Sequence, residues 1–389
     1  MRYLTAVLSS LILLCSSGLY AETVKADEDR FFYGSDADEE MVTIMPDKNF
    51  SNSGIQYGAI VSPVYLYENG GDNSLSSSVV NAKVWAKSYL WKNSFIYAGV
   101  KNSCFNVISS EGDLYENVDS DNVIDLDQAF LSMTDSDGMI KFAAGRKYYN
   151  IGTGLVLNGR GDGAEAGFAT SVFNFKLLGL YTGLLTEDNN PYGLSDKDYT
   201  DGAERVFSGG TVSADIVNQR IYLFGLVQID RADQDSDNKT RYNSEYYGAG
   251  IEGVVLKDVF YYAEAVFESG ESYITRPDGN EKSKIAAYAV NSGINYFIPV
   301  SFNPTLVFQY AFGSGDKYRD DYTNGNRPDG ATGYDEGFIS FGTYSGGYAL
   351  KPVLSNMHVF RCGITAAPFA GSGSMMLRKL SAGENTHII

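Results

Sequence analysis

Histidine, tryptophan and cysteine are scarce in this chain of 389 residues, with two, two and three copies respectively. Hydrolases need a nucleophile and a nearby base, most often a histidine. The only histidines are His358 and His387, and no Gly-x-Ser-x-Gly elbow accompanies them. We therefore expect no enzyme, no metal site and no cofactor.

Basic residues are also few, since 30 Lys and Arg face 48 Asp and Glu, for a net charge of −18. A nucleic-acid binder needs a basic stripe to meet phosphates, so that class of partner is excluded. Long apolar runs are missing as well. Nothing after residue 21 offers the 18 or so consecutive apolar residues of a transmembrane helix.

The amino terminus is organised in two parts. Residues 1–21 combine Arg2, an apolar run and Ala21 before a cleavage point, which predicts a secretory signal peptide. Lipidation at Cys15 is the alternative reading of the same segment. Residues 22–53 form an acidic, flexible N-terminal segment. In the exported chain, Cys104 and Cys362 are expected to be unpaired small hydrophobes, with a disulfide as the alternative.

Glycine, tyrosine and phenylalanine are abundant, with 42, 29 and 22 copies, and this composition favours β-structure. From Gly54 onward the sequence alternates with a period of two. The clearest stretch is 78–91, where even-numbered residues such as Val80 and Val84 form an apolar face and odd-numbered residues such as Lys83 and Lys87 form a polar face. The alternating segments exceed the five or six residues of an average globular strand. The sequence therefore predicts long strands with one apolar and one polar face.

Short connections alternate with long polar ones such as 187–202, 232–243 and 313–337. This alternation is typical of an outer-membrane barrel. We predict an all-β, transmembrane antiparallel β-barrel of roughly 14–18 strands with long external loops, over residues 54–369. A secreted β-sandwich or solenoid is the alternative fold. Aromatic residues at segment ends favour the barrel, because they resemble interfacial girdles: Tyr65, Tyr67, Tyr89, Trp91, Tyr296 and Phe297.

The last segment, 370–389, lacks alternation and a terminal aromatic residue. We therefore expect an atypical tail. A truncated or frame-shifted chain is one explanation, and an unusual closing strand is the other.

Several short motifs follow one another along residues 128–356: Gln128-Ala-Phe, Gly145-Arg146, Gly152, Gly154, Ser314-Gly315-Asp316 and Asn356. In this order they resemble the alginate-export family of outer-membrane barrels. The resemblance implies an outer-membrane channel that passes saccharide-like solutes. Two departures stand out: Lys147 replaces the family's usual Gln, and few basic residues are present to suit a polyuronate.

The segment between Arg146 and Arg160 is too long for a turn and is expected to fold inward and narrow a pore. Arg146, Arg160 and Asp162 would then form a charged constriction that filters solutes. A surface salt bridge is the alternative role. Alternation also places further charged side chains toward the lumen: Lys83, Lys87, Lys101, Lys176, Glu252 and Glu264.

The predicted function is a channel for passive or facilitated passage of small polar or saccharide-like solutes, located in the cell outer membrane. The alternative is a surface-structural or adhesive barrel without an open pore. Expected partners are outer-membrane lipid, the barrel-assembly machinery and the solute, with the oligomeric state open. The acidic loop Asp233-x-Asp235-x-Asp237 departs from an EF-hand but leaves a loose Ca²⁺ site as a further alternative.

Overall fold

The computed structural model describes residues 55–70, 73–91, 94–112, 120–186, 190–195, 198, 201–231, 241–256, 258–300, 304–319, 325–342, 354–366 and 375–377. The predicted signal peptide, the acidic segment 22–53 and the Asp233–Asp237 loop lie outside these residues. So does the tail 370–389, apart from a three-residue strand within it.

Fourteen strands of nine or more residues dominate the described chain. They are β1 (Ile55–Gly70), β2 (Asn73–Trp91), β3 (Ser94–Glu111), β4 (Asp121–Thr134), β5 (Ile140–Asn150), β6 (Leu157–Ala169), β7 (Phe173–Tyr181), β8 (Arg205–Ile216), β9 (Gln219–Asp230), β10 (Asn243–Val255), β11 (Val259–Ile274), β12 (Glu281–Phe297), β13 (Thr305–Gly313) and β16 (Met357–Ala366). Three short strands are β14 (Asn326–Arg327), β15 (Phe341–Gly342) and β17 (Met375–Leu377). These 17 strands form one sheet, within the predicted range.

Each long strand pairs antiparallel with its neighbour in sequence from β1 to β13, and β16 and then β17 extend the sheet. The two strands inside the β13–β16 connection behave differently. β14 pairs parallel with the end of β11, and β15 pairs parallel with the start of β6. The β13–β16 connection therefore folds back over the inner face of the sheet. Among the described residues, β1 has no pairing with β16 or β17.

The two faces of the sheet differ in chemistry, as the alternation predicted. On β2, Lys83 is 3% exposed whereas Val84 is 64% exposed. On β11, Ala263 and Ala265 are exposed on either side of the buried Glu264. Because side chains alternate with a period of two, a slip of one residue would exchange these faces. One mainly antiparallel sheet confirms the predicted all-β fold, and its apolar outward face and charged inward face are the pattern expected of a transmembrane barrel wall.

The connections also differ between the two ends of the sheet. One end carries short turns, such as those that follow β2 and β8. The other end carries the long connections, among them 182–204 between β7 and β8 and 314–356 between β13 and β16. We call these the turn end and the loop end. The aromatic residues predicted at strand ends are at least 40% exposed and are Tyr65, Tyr67, Tyr89, Trp91, Tyr296 and Phe297.

A hydrophobic core lies on the inner face near the loop end. It joins inward side chains of β6 to β12 with residues of the long connections, and its fully buried members include Tyr149, Leu157, Phe207, Tyr246 and Phe338. No helix in the described part of the chain is long and apolar enough to cross a membrane. Cys104 and Cys362 are both free, as predicted.

Candidate functional site

The β5–β6 hairpin leaves the sheet and enters the interior. β4 pairs with β5 only as far as Ala129 opposite Arg146, although β5 continues to Asn150. At the divergence Gly145 has φ +128°, and a Cβ there would collide with the carbonyl oxygen of Ala129. Only glycine fits this backbone position without strain. The family-like Gly145 therefore lets the hairpin separate from the wall.

The predicted 14-residue connection, Lys147–Arg160, is wrong in length. Residues 147–150 of β5 pair with residues 158–161 of β6, and β6 begins at Leu157, so the connection spans only 151–156. The expected inward fold is nevertheless present, because the whole hairpin tip carries the connection inside. A regular hairpin satisfies its own backbone hydrogen bonds, which lets it extend away from the wall.

The tip of the hairpin reaches the opposite side of the interior. The Thr153 backbone N–H and hydroxyl donate to the Glu264 carboxylate on β11, at 2.7 and 2.8 Å. The Tyr222 hydroxyl donates to the same carboxylate at 2.7 Å, and Asn291 Nδ2 donates to Thr153 Oγ1 at 2.9 Å. Gly152 lies so close that a Cβ there would meet the Glu264 carboxylate. Glu264 therefore anchors the tip on β11.

Charged side chains connect the hairpin to the wall formed by β2–β4. Arg160 Nη1 lies 2.8 Å from Asp125 and 3.3 Å from Asp127, and Lys83 Nζ lies 2.8 Å from Asp127. Arg146 forms a bidentate pair with Asp162, through Nε at 3.0 Å and Nη2 at 2.8 Å. We call these six residues the ion-pair belt.

Strand alternation explains the geometry of the belt. Arg160 and Asp162 share a face with Ala166 and Phe168, which point outward lower on β6. Asp125 points inward from β4. An outward-facing side chain of the hairpin can meet an inward-facing one of the wall only if the hairpin lies inside the sheet. The belt is therefore the contact between the hairpin's back and the inner surface of the wall.

The hairpin divides the interior into two unequal sides. Toward β6–β10, inward side chains such as Phe207, Tyr222 and Leu226 are at most 2% exposed. Toward the loop end of β12 and β13 the inward side chains are buried as well, with Ala287, Ala289 and Ala311 at most 1% exposed. In the half of β2, β3, β12, β13 and β16 nearer the turn end, the half-buried inward side chains are Trp85, Lys87, Tyr97, Lys101, Asn295, Gln309 and Arg361. We call this less filled part of the interior the open side of the lumen.

The β13–β16 connection fills the other side and is anchored by a second carboxylate of β11. Glu268 accepts hydrogen bonds from the Ile339 backbone N–H at 2.9 Å and from the hydroxyls of Tyr242 and Tyr246, at 2.5 and 2.9 Å. Glu264 and Glu268 are four residues apart on one strand and share its inward face. Each of them holds one inward-folded segment.

Buried ion pairs stabilise these segments. Arg319 Nη2 lies 2.6 Å from Asp335, and Arg327 Nη2 lies 3.1 Å from Asp316, with all four side chains at most 2% exposed. Burial alone would lower the pKa of Arg319, but Asp335 and the neighbouring acidic groups raise it above its ordinary value. The guanidinium therefore stays charged. Removing one member of such a pair would leave an uncompensated buried charge.

Tyr192 joins the β7–β8 connection to the hairpin. Its hydroxyl donates to the Arg160 carbonyl at 2.6 Å, and burial raises its pKa well above the ordinary value. The neutral phenol therefore remains a donor. The carbonyl of Leu184, in the same connection, accepts from Arg146 Nη2 at 2.6 Å. The β7–β8 connection thus holds the backbone of Arg160 and the guanidinium of Arg146.

The other predicted site residues fall into two groups. Lys87, Lys101 and Glu252 line the interior and are half-buried, whereas Lys176 is buried and donates to Asn150 under the hairpin. The family-like residues Gln128, Gly154, Ser314, Gly315, Asp316 and Asn356 lie in β4, in the hairpin tip and at the ends of the β13–β16 connection. Asp316 accepts from the backbone N–H groups of Tyr318 and Glu336, so it shapes the connection.

Sequence reasoning missed the wall partners Asp125 and Asp127 and the anchor Glu268. Asp125-x-Asp127 has the spacing of two side chains on one strand face, and that signal was available. Nothing local to Glu268 distinguishes it from an ordinary lumen residue. Within the described residues there is also no cluster of three or more His, Cys, Asp or Glu arranged to hold a metal ion.

Comparisons with known proteins give loose structural likenesses. No protein-family model and no curated protein matches the chain, so the resemblance to alginate-export barrels is not confirmed. OccK9 (OpdG) of Pseudomonas aeruginosa is 10% identical, with a TM-score of 0.40 over 83% of this chain and 98% of that one. OpdO of the same organism is 12% identical, with a TM-score of 0.36 over 81% and 86%. The trimer form of OmpT, an outer membrane protein of Vibrio cholerae, is 12% identical, with a TM-score of 0.37 over 67% and 77%. Likeness this loose assigns no solute and no site residue to this chain.

Proposed function

We propose that the protein is an outer-membrane channel that passes small polar or saccharide-like solutes by diffusion. The observation that carries the proposal is the β5–β6 hairpin, which crosses the interior from the wall at Arg146 to the anchor at Glu264. A hairpin in this position would narrow a lumen. No covalent step and no cofactor enters the proposal.

Charge on the hairpin's back supports a filtering role. Asp162 is the most exposed member of the ion-pair belt, with 23% of its side chain accessible, and it lies beside Arg146. Opposite charges held side by side at a narrow point create a local field that acts on charged and dipolar solutes. The half-buried rings of Trp85 and Tyr97, which stack 6.0 Å apart on the open side, offer surfaces for sugar rings.

The outward face supports placement in the outer membrane. Its exposed apolar residues lie on nearly every long strand, among them Val84, Leu177, Leu223 and Phe308. Contiguous exposed apolar surface of this extent would be unfavourable in water. A protein of this kind would be inserted by the barrel-assembly machinery and would contact outer-membrane lipid.

A specific observation favours the second candidate, a barrel without an open pore. The interior on the side of β6–β10 is filled by residues of the long connections, with Phe338, Ile339 and Phe341 at most 2% exposed. If loop residues also covered the open side, the barrel would be structural or adhesive.

Single-channel recording in planar bilayers separates the two candidates. Purified protein should give discrete conductance steps in potassium chloride, and added maltose should lower the current as a permeating sugar does. Insertion into the bilayer, shown by resistance to carbonate extraction from vesicles, without any steps would support the closed barrel. Recovery of the full-length protein in the soluble periplasmic fraction would contradict both.

A further inference from the structure

A second feature of the interior lies beneath the hairpin, at the turn end. A cavity of about 270 Å³ is bounded by the turns after β4 and β6 and by the inner faces of β5 and β7–β9. None of the belt residues lines it, so it is distinct from the ion-pair belt.

The lining of this cavity is rich in cations. Lys141, Lys176 and Arg220 contribute three positive charges, and Asp215 is the one carboxylate among the lining residues described. Asp215 is already engaged, because it accepts from Arg220 Nε at 2.7 Å and from Asn174 Nδ2 at 2.9 Å. Arg220 also lies 3.5 Å from Glu252, so two carboxylates face these three cations, and the cavity is a region of small positive excess in a chain with a net charge of −18. Such a region favours an anion.

The cavity also holds an unsatisfied hydroxyl. Thr211 on β8 lines it and is 6% exposed, and its Oγ1 is buried with no hydrogen-bond partner. Buried polar atoms in folded proteins nearly always have a partner, so one without a partner calls for an explanation. Ser213, two residues along the same strand, points into the same cavity. A ligand that accepts a hydrogen bond would satisfy the Thr211 hydroxyl.

From these observations, we propose that the cavity binds a small hydroxylated carboxylate. The cations Lys141 and Lys176 suit the carboxylate, and the hydroxyls of Thr211 and Ser213 suit the ligand's hydroxyl groups. The cavity's volume is that of a six-carbon molecule and too small for an oligosaccharide. The proposal concerns binding and does not require the lumen to conduct.

Gluconate is a suitable probe, and isothermal titration calorimetry of the detergent-purified protein measures its binding directly. Sodium gluconate should release heat with a saturable isotherm, while sorbitol, which has the same carbon skeleton without the carboxylate, should bind at least about tenfold more weakly. Equal binding of the two, or no gluconate binding, would overturn the proposal whatever the bilayer recordings show.

Two variants place the ligand in the cavity. Thr211→Val removes an unpartnered hydroxyl while keeping the side chain's shape, so the fold should be retained, and gluconate should bind up to about tenfold more weakly. Lys176→Gln should weaken binding by about tenfold or more. Ser208→Ala, on the outward face of the same strand, and Lys284→Gln, on the exposed start of β12, are the matched controls and should bind as wild type does. An unchanged affinity in Thr211→Val would overturn the site.

Discussion

Glu264 and Thr153 are 111 residues apart in sequence, yet the Glu264 carboxylate accepts hydrogen bonds from both the backbone N–H and the hydroxyl of Thr153. This pair joins the tip of the β5–β6 hairpin to the strand opposite its point of departure. The hairpin is thus a bridge supported at both ends, by the belt at Arg146 and Arg160 and by the anchor at Glu264. A bridge supported at two ends should fluctuate less than a free loop.

Replacing the anchor should release the bridge. In Glu264→Gln, the amide NH₂ would face donors that now point at a carboxylate oxygen, and hydrogen bonds to a charged group contribute about 1.5–3 kcal/mol each. We expect more frequent current fluctuations and a broader distribution of conductance levels at fixed voltage, measured by single-channel recording.

Glu252→Gln is the matched control, since Glu252 lines the interior and makes its described ion pair with Arg220 rather than with the hairpin. Equal noise in both variants would mean that loss of any lumen carboxylate has the same effect, and that Glu264 is no anchor.

The outward face can be tested at Ala263, which is exposed beside the buried Glu264. An arginine on the lipid face near the bilayer midplane costs about 2–4 kcal/mol. Ala263→Arg should therefore lower the free energy of unfolding from lipid vesicles by that amount, measured by denaturant titration. Ala263→Leu should be nearly neutral, because leucine suits lipid. If the leucine variant were destabilised as strongly as the arginine variant, Ala263 would not face lipid.

The sequence predicted the wall of this molecule well and its interior poorly. Strand alternation reflects which side chains meet lipid, and neighbouring residues in the sequence, such as Lys83 and Val84, are enough to recognise it. The same pattern correctly placed Glu264 inside. The hydrogen-bond partner of Glu264 could not be predicted from the sequence, because Thr153 lies five strands away in the sheet.

The position of the β5–β6 hairpin could not be predicted from the sequence either. Alternation continues along β5 and β6 whether they lie in the wall or inside it, so the pattern gave no sign of where the two strands depart. Arg146 and Arg160 are candidates from the sequence because they bracket a segment too long for a turn, and Gly145-Arg146 is also one of the family-like motifs. The carboxylates Asp125 and Asp127 that meet Arg160 come from a wall strand, and only the inward displacement of the hairpin brings them into contact.

Gly145 should be essential for that departure. A Cβ there would meet the carbonyl oxygen of Ala129, and φ +128° is strained for any other residue. Strain of this kind costs about 1–3 kcal/mol, to which the backbone collision adds. Gly145→Ala should reduce the fraction of heat-modifiable, folded protein on gels.

Gly138 provides the control for this prediction. It also has a positive φ, +75°, but a Cβ there would meet nothing within 4 Å. Gly138→Ala therefore introduces backbone strain without the collision and should lose clearly less folded protein than Gly145→Ala. Similar losses in both variants would point to backbone strain alone and would remove the close approach to Ala129 from the argument.

Arg146 should set the charge preference of the proposed channel. It pairs with Asp162 at 2.8 Å and lies 3.6 Å from Asp125, so Arg146→Gln would remove the described ion-pair partner of Asp162, while Asp125 would keep Arg160 at 2.8 Å. Selectivity should shift toward cations, measured as the reversal potential across a potassium chloride gradient. The shift should be largest at low salt, because the Debye length is about 30 Å at 0.01 M. Conductance should change in the same variant, since the narrowest point dominates a pore's resistance.

Arg276→Gln is the control for this prediction. It removes the same charge from an exposed loop-end turn, where the side chain pairs with Glu281 and Asp329, and it should leave the reversal potential nearly unchanged. An unaltered reversal potential and conductance in Arg146→Gln would show that solutes do not pass along the hairpin's back, and the filter would then have to lie elsewhere in the lumen.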